Sequence, residues 1–446
     1  MLIIKLAQPD DMRILKLYRI ELIRNHKKIF LFISAIIIGS LTLFWITTSG
    51  SNVMLSPYPY GKNFAFTITD DPDDNKIDEI KIVYDFLMLI GLKTTVAVWI
   101  NEEIRSDGLP EVAGNFDYGD TCENETYLKY IKNLKNNGFE IALHTVSPGN
   151  DYRQETIEGY EKFKKIFGEY PKINIMHADN LENIYWGKKV VGNSFIRGLV
   201  GFFYKKSNLP FQGENPKSVY FWGDVLKEKT KYVRLWGTSN INTLCFNPTM
   251  PYHDPRKPYV NYWFSYSDGY NAKGFNKLIT DKNIQKLIKD RGTSIVYTHF
   301  GLNFIKKDKN GNMQLDRFFA KQIKKIAMHK DGWFVPASDI LDRLLLMKNV
   351  YLIQEKNRLI LINNNAFKVD GITLLINKNS ALEQINGSVY KSNDEGEIVI
   401  EKMGPYETLV FFLNGKKSLN KNSYPSLFEK INMVIRRSFL VISQRD

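Results

Sequence analysis

Asp70 and Asp71 end an alternating apolar run, Asn63-Phe-Ala-Phe-Thr-Ile-Thr69, and three histidines occupy the same kind of position later in the chain. His144 closes Phe139-Glu-Ile-Ala-Leu143, His177 closes Ile173-Asn-Ile-Met176, and His299 closes Thr293-Ser-Ile-Val-Tyr-Thr298. Acyl hydrolysis at a metal needs ligands that leave one coordination position open, a base for the attacking water and an acid for the departing group. A carboxylate doublet suits this chemistry, because one member can bind metal while the other stays free as base. A late strand-end histidine such as His299 suits the acid. The competing reading of the doublet is a turn, since Asp71-Pro72-Asp73-Asp74 is rich in turn formers. His253 lies in the loop Pro251-Tyr-His-Asp-Pro255, and His26 and His329 read as solvated.

These groups become neighbours only if a fold gathers them. In a barrel of parallel strands joined by helices, the carboxyl ends of the strands converge on one rim. From Asn63 to about Met347 short apolar strands alternate with helical periodicity, the pattern of parallel α/β architecture. Apolar positions from Ile77 to Ile90 recur at helical spacing and stop at Gly91. Further helices are expected over 125–137, 155–167, 281–290 and 314–329, and a last one with Ser338 as N-cap. The stretch 180–276 is crowded with Trp, Tyr, Gly and Pro and suits a sugar-binding wall. Short strands are expected there near Val219–Trp222, Tyr232–Trp236 and Val260–Phe264. Beyond Val350, runs at 351–353, 359–362, 372–376, 397–400 and 408–412 read as a small β-sandwich.

Composition narrows the class. The 446 residues carry 43% apolar and 13% aromatic side chains, ample for more than one core. The formal charge is +13, of which residues 1–28 hold seven Lys and Arg against three Asp and Glu, leaving about +9 spread along the chain. With no zinc finger or arginine-rich tract, nucleic acid is not an expected partner; anionic envelope polymer is the better match. Residues 29–48 form an uncharged apolar run of 20, long enough to cross ~30 Å of hydrocarbon. The basic residues before it place the amino terminus in the cytoplasm. The expected order is a basic cytoplasmic segment (1–28), a membrane anchor (29–48), a stalk (49–62), the catalytic barrel (63–347), a β-rich accessory domain (348–415), and a polar linker with an amphipathic helix (416–446). A single-pass cell-membrane protein with its catalytic domain outside is implied. Cys122 and Cys245 leave a disulfide open in such a compartment.

Three of the motifs resemble those of the polysaccharide deacetylase, or NodB-homology, family, carbohydrate esterase family 4. Phe66-Thr-Ile-Thr-Asp-Asp-Pro72 is similar to its Thr-Phe-Asp-Asp-Gly motif, with Pro in place of Gly. The resemblance implies that Asp70 is the base and Asp71 a metal ligand. His144-Thr-Val-Ser-Pro148 resembles His-Ser/Thr-x-x-His, but Pro148 stands where the second ligand belongs. His177 is the expected substitute, with Asn150 and Asp151 behind it. Val296-Tyr-Thr-His-Phe300 is similar to the later histidine motif and makes His299 the general acid. The Arg-x-Pro-Tyr/Phe motif has no clean counterpart. The implied fold is a distorted (β/α)7–8 barrel, and the implied activity is metal-dependent removal of N-acetyl groups from amino sugars of an envelope or extracellular polysaccharide. The implied cofactor is a divalent metal, with Zn²⁺ favoured. The alternatives are an inactive carbohydrate-binding surface protein on the same fold and a glycoside hydrolase using the same rim.

Overall fold

The computed structural model describes residues 53–102, 119–178, 180–190, 210–355 and 357–413. The apolar run 29–48, the basic segment before it and the segment 416–446 lie outside the described residues. Among the described residues no helix is long and apolar enough to cross a membrane.

The first described strand, β1 (Met54–Pro59), belongs to the carboxyl-terminal module. The barrel then runs through β2 (Phe64–Asp70), β3 (Thr95–Val98), β4 (Glu140–Leu143), β5 (Ile173–Asn174), β6 (Tyr232–Thr238), β7 (Tyr262–Asp268) and β8 (Thr293–Thr298). All are parallel neighbours, and β8 returns to pair with β2 from Ala65↔Thr293 to Asp70↔Thr298, closing a ring of seven. A short hairpin, β9 (Ile305–Lys307) and β10 (Met313–Leu315), follows, and β11 (Gly332–Trp333) adds an eighth parallel strand beside the start of β2.

Both faces of these strands are covered, so β2 is buried at every position. The alternation of side chains nonetheless sorts them into two layers. Phe64, Phe66 and Ile68 of β2, with Val96, Val98, Ile141, Leu143, Val233, Leu235 and Val296, pack outward under the helices. Ala65, Ala97, Ala142, Ile173, Ile175, Tyr232, Phe264 and Ile295 face the lumen, where Ile340, Leu341 and Leu344 of the helix Ala337–Met347 pack with them. The helix Ile77–Leu89 buries Ile80, Val83, Tyr84 and Leu87 at the spacing of one face, and Gly91 follows it at φ +75°. Asn124 caps the helix Glu125–Asn136, accepting from Thr126 N and Tyr127 N at 3.0 and 3.2 Å.

The remaining strands form an antiparallel sandwich: β12 (Val350–Glu355), β13 (Arg358–Asn363), β14 (Val369–Leu375), β15 (Ala381–Gln384), β16 (Val389–Lys391), β17 (Glu397–Met403) and β18 (Thr408–Leu413). One sheet has the order β1-β14-β17 and the other β12-β13-β18-β15-β16. Ile372, Leu374, Ile398 and Ile400 of the first meet Leu359, Leu361, Leu382 and Phe411 of the second. Arg343 joins the sandwich to the barrel, donating to the carbonyls of Pro57, Asp370 and Gly371 at 3.1, 2.7 and 3.1 Å.

Four local expectations change. Residues 54–59, assigned to the stalk, are instead a sandwich strand, because Tyr58 is fully buried with its hydroxyl 2.8 Å from Thr293 Oγ1. Val219–Trp222 is a turn rather than a strand: Trp222 is drawn inward, where its Nε1 donates to the Glu182 carbonyl at 2.6 Å. Residues 313–315 pair as β10, so the next helix starts at Arg317 behind its Asp316 cap. Ser338 lies inside the last helix, whose N-cap position is Pro336. Cys122 is buried and Cys245 exposed, both as free thiols.

Candidate active site

The two layers of the barrel decide where each candidate goes. Counting outward from the lumen-facing alanines and isoleucines, Asp71, His144, His177, Arg234 and His299 all fall on the inner parity, and Asp70 falls on the outer one. The carboxylate doublet is therefore split between two environments.

Asp70 is fully buried beneath the helix Ile77–Leu89. Its Oδ1 accepts from Phe300 N at 2.7 Å, and its Oδ2 accepts from the Tyr84 hydroxyl at 2.7 Å and Asn75 Nδ2 at 2.9 Å. Burial pushes its carboxyl up to about 7, against the bonds from Tyr84, Phe300 and Asn75. With both oxygens committed to protein donors, Asp70 is a staple between β2, the helix and the loop after β8. This arrangement does not fit the general-base role expected for it.

Asp71, 2% exposed, turns inward to Arg234 on β6. Arg234 Nη1 and Nη2 donate to Asp71 Oδ1 and Oδ2 at 2.7 and 2.5 Å, a bidentate fork. The guanidinium lies 4.4 Å from the Tyr297 ring centroid and 5.0 Å from that of Tyr266. An arginine inside a buried strand must be paired, and Tyr232-Val-Arg-Leu-Trp236 displayed that signal in the sequence.

The group that collects the imidazoles is Asp73. Its Oδ1 lies 3.0 Å from His177 Nε2, and its Oδ2 lies 3.3 Å from His144 Nε2 and 3.4 Å from His299 Nε2. Burial alone would raise Asp73, but the charge of His177 and the close approach of the His144, His177 and His299 nitrogens hold it well below the usual carboxylate range. In return Asp73 overcomes the effect of burial on His177, which rises to about 9, and raises His299. His144 moves the other way, because burial dominates there. In the sequence Asp73 reads only as a turn former. It is that as well: Asn75 N donates to the Pro72 carbonyl at 3.0 Å, and Asp74 takes φ +57°. Two glycines press on this turn. A Cβ at Gly119 would sit 2.0 Å from the Pro72 carbonyl oxygen, and one at Gly301 2.0 Å from that of Asp74.

Asp73, His144 and His177, rather than the expected trio of Asp71, His144 and His177, have donor atoms that lie within 4.8 Å of one another. Asp71 approaches His144 Nδ1 only at 3.9 Å, and its oxygens are engaged by Arg234. Asp71, Asp73 and His299 form a second, overlapping group. Asp73, His144 and His177 fit a divalent cation: one carboxylate and two imidazoles are a common donor set with room for water, and both nitrogens of buried His144 and Asp73 Oδ2 make no well-formed hydrogen bond. Asn150 and Asp151 are spent elsewhere, on Leu181 N and Ser147. His253 bonds toward the Val260 and Asn261 carbonyls, away from the cluster.

His299 Nδ1 lies 2.8 Å from the Tyr270 carbonyl, which can only accept. Nδ1 is therefore protonated and Nε2 faces the cluster, with the Tyr297 hydroxyl at 3.4 Å. Tyr270, 42% exposed, stands edge-on to His299 at 4.8 Å and opens the rim to solvent.

No family model matches the chain. The curated histidine–tRNA ligase of Clostridium tetani is 28% identical over 153 residues, 33% of this chain and 31% of that protein, so the chain spans about a third of that relative's length. Among solved structures, a protein from Mycobacterium smegmatis named as a polysaccharide deacetylase matches with a TM-score of 0.35 and 12% identity, covering 65% of this chain and 93% of that one. One so named from Pseudomonas aeruginosa matches with a TM-score of 0.37 and 10% identity, over 64% of this chain and 91% of that one. The PuuE allantoinase gives 0.37 and 12%, over 66% and 95%. At TM-scores of 0.35 to 0.37 these likenesses assign no function to the chain.

Proposed function

We propose that the chain is a metal-dependent hydrolase that removes N-acetyl groups from amino sugars of an envelope or extracellular polysaccharide, as a divergent protein of the polysaccharide deacetylase type. The observation that carries the reading is the convergence of Asp73, His144, His177 and His299 on one point of the rim, with the Asp71–Arg234 pair beside it. Asp73, His144 and His177 would hold the cation, Zn²⁺ being the favoured ion. When bound, such an ion polarises a carbonyl and lowers the pKa of water.

The protein's own groups supply the proton transfers. Water adds to the acetamide carbonyl carbon as its proton passes to Asp71, whose two oxygens each accept one bond from Arg234 and retain lone pairs for another. The carbon–nitrogen bond breaks as His299 Nε2 delivers a proton to the departing amine. The products are acetate and a free amino sugar. A histidine raised above its ordinary value is suited to that donation. Asp70 takes no part beyond holding the turn and the His299 loop. Residues 29–48 would anchor this domain outside the cell membrane.

Acetate release from N-acetylated glycans, with and without chelator, tests the reading. Asp71→Asn should keep stoichiometric metal and lose about 10²- to 10⁴-fold in turnover, whereas Asp73→Asn should lose the metal itself. Chelator-insensitive release, or an Asp73→Asn protein that retains metal and turnover, would overturn the assignment. New reducing ends without acetate would indicate glycosidic cleavage instead.

A further inference from the structure

We infer that Asn180 is a positioning residue that fixes the tautomer of His177 and so creates a metal ligand, an inference resting on Asp73, His144 and His177 as the cation site. Asn180 is 5% exposed, and its amide can be oriented without ambiguity. One side-chain atom lies 2.6 Å from the Gly149 carbonyl oxygen and 2.9 Å from Glu182 Oε1, two acceptors, so that atom is the amide nitrogen. The reversed amide would set its oxygen against both. Asn180 Oδ1 is then the atom 2.9 Å from His177 Nδ1, and an acceptor there requires that Nδ1 carry the proton. Nε2, the nitrogen that faces Asp73 at 3.0 Å, is then the one whose proton a cation would displace and whose lone pair it would meet.

The support behind Asn180 is rigid. Glu182 is 1% exposed, its carbonyl accepts from Trp222 Nε1 at 2.6 Å, and Gly213 packs so closely that a Cβ there would sit 1.8 Å from that carbonyl oxygen. Asn183 Nδ2 holds the His177 carbonyl at 2.6 Å. The bond from Asn180 to Gly149 also ties the His177 loop to the loop that follows His144, as does Leu181 N donating to Asn150 Oδ1 at 2.8 Å. The other two imidazoles are served differently. His299 leans on a backbone carbonyl, and neither nitrogen of His144 makes a well-formed hydrogen bond. Among the described residues, Asn180 is thus the side chain that sets the ring state of one of the three proposed ligands.

The test measures Zn²⁺ and Co²⁺ affinity of the full-length protein by competition with a chromophoric chelator, independently of turnover. Wild type should bind one ion per chain; if it binds none, the cation site itself fails. Given that site, Asn180→Ala should weaken the ion about 10- to 100-fold and alter the Co²⁺ absorption bands, with the melting temperature of the metal-free protein little changed. Asn150→Ala removes the neighbouring loop tie without touching the ring and should retain affinity. Wild-type affinity in Asn180→Ala, or an equal loss in Asn150→Ala, would overturn the inference. If Asn180→Ala does not fold, imidazole ¹⁵N spectra of metal-loaded wild type decide: a His177 with metal on Nε2 and a proton on Nδ1 supports the proposal, and the opposite assignment refutes it.

Discussion

Arg234→Met isolates the electrostatic balance on which the rim depends. Arg234 is 8% exposed and Asp71 2% exposed, and each carboxylate oxygen takes one guanidinium bond, at 2.7 and 2.5 Å. Removing one partner of a buried pair leaves the other charge uncompensated and costs about 3–5 kcal/mol. Loss of the contacts to Tyr297 and Tyr266 adds about 0.5–2 kcal/mol. Methionine fills most of the volume, so the cost is electrostatic rather than a cavity. Urea denaturation followed by tryptophan fluorescence measures it, because Trp99, Trp222 and Trp263 are fully buried in the barrel. The double variant with Asp71→Asn removes both charges and should be more stable than the sum of the two single losses predicts, by about 2 kcal/mol or more. A single-variant loss below about 1 kcal/mol, or strict additivity in the cycle, would show that the pair is not balanced as described.

Other outcomes follow from the same geometry. Asp70→Ala should destabilise the barrel by about 3 kcal/mol or more, since it strands Phe300 N and the Tyr84 hydroxyl in the interior and leaves Asn75 Nδ2 only its bond to the Asp71 carbonyl; unchanged denaturation would refute the staple. Tyr84→Phe removes one donor and should cost about 1 kcal/mol by the same measurement. Gly301→Ala forces a Cβ against the Asp74 carbonyl, displacing the turn that carries Asp73, so metal stoichiometry should fall in protein that still folds. Burial holds the carboxyls of Asp151 and Glu182 above their ordinary values, each also raised by a neighbouring acid. Both therefore favour the folded state most when protonated, and their contribution is lost as pH rises from about 4 through the folded values. Glu182→Gln should flatten that decline in the urea midpoint, and parallel pH profiles for variant and wild type would contradict it.

Much of the barrel was legible because its signals are local. The run at Asn63–Thr69, the helical spacing from Ile77, and the glycines that end helices each report on a few residues and a fixed period. The same locality explains the errors. Val219–Trp222 has the apolar texture of a strand, but the hydrogen bond from Trp222 to the Glu182 carbonyl spans 40 residues and draws it into a turn. Residues 54–59 read as a stalk because their partner, β14, lies more than 300 residues away.

The amino-acid sequence by itself determined that an acid doublet and three histidines would stand at strand ends, and that those ends belong to a parallel α/β fold. It could not say which of Asp70 and Asp71 faces the lumen. Parallel strands are buried on both sides, so alternation labels two layers without naming the inner one. Closure of the ring settles this, sending Asp70 under Tyr84 and Asp71 to Arg234. It also turns Asp73 from an ordinary turn residue into the centre of the cluster. No pattern along the chain encodes that convergence, because the three imidazoles that meet Asp73 lie 71 to 226 residues beyond it in the chain. The chemical types were written locally; their meeting point exists only where the rim of a closed barrel brings distant strands together.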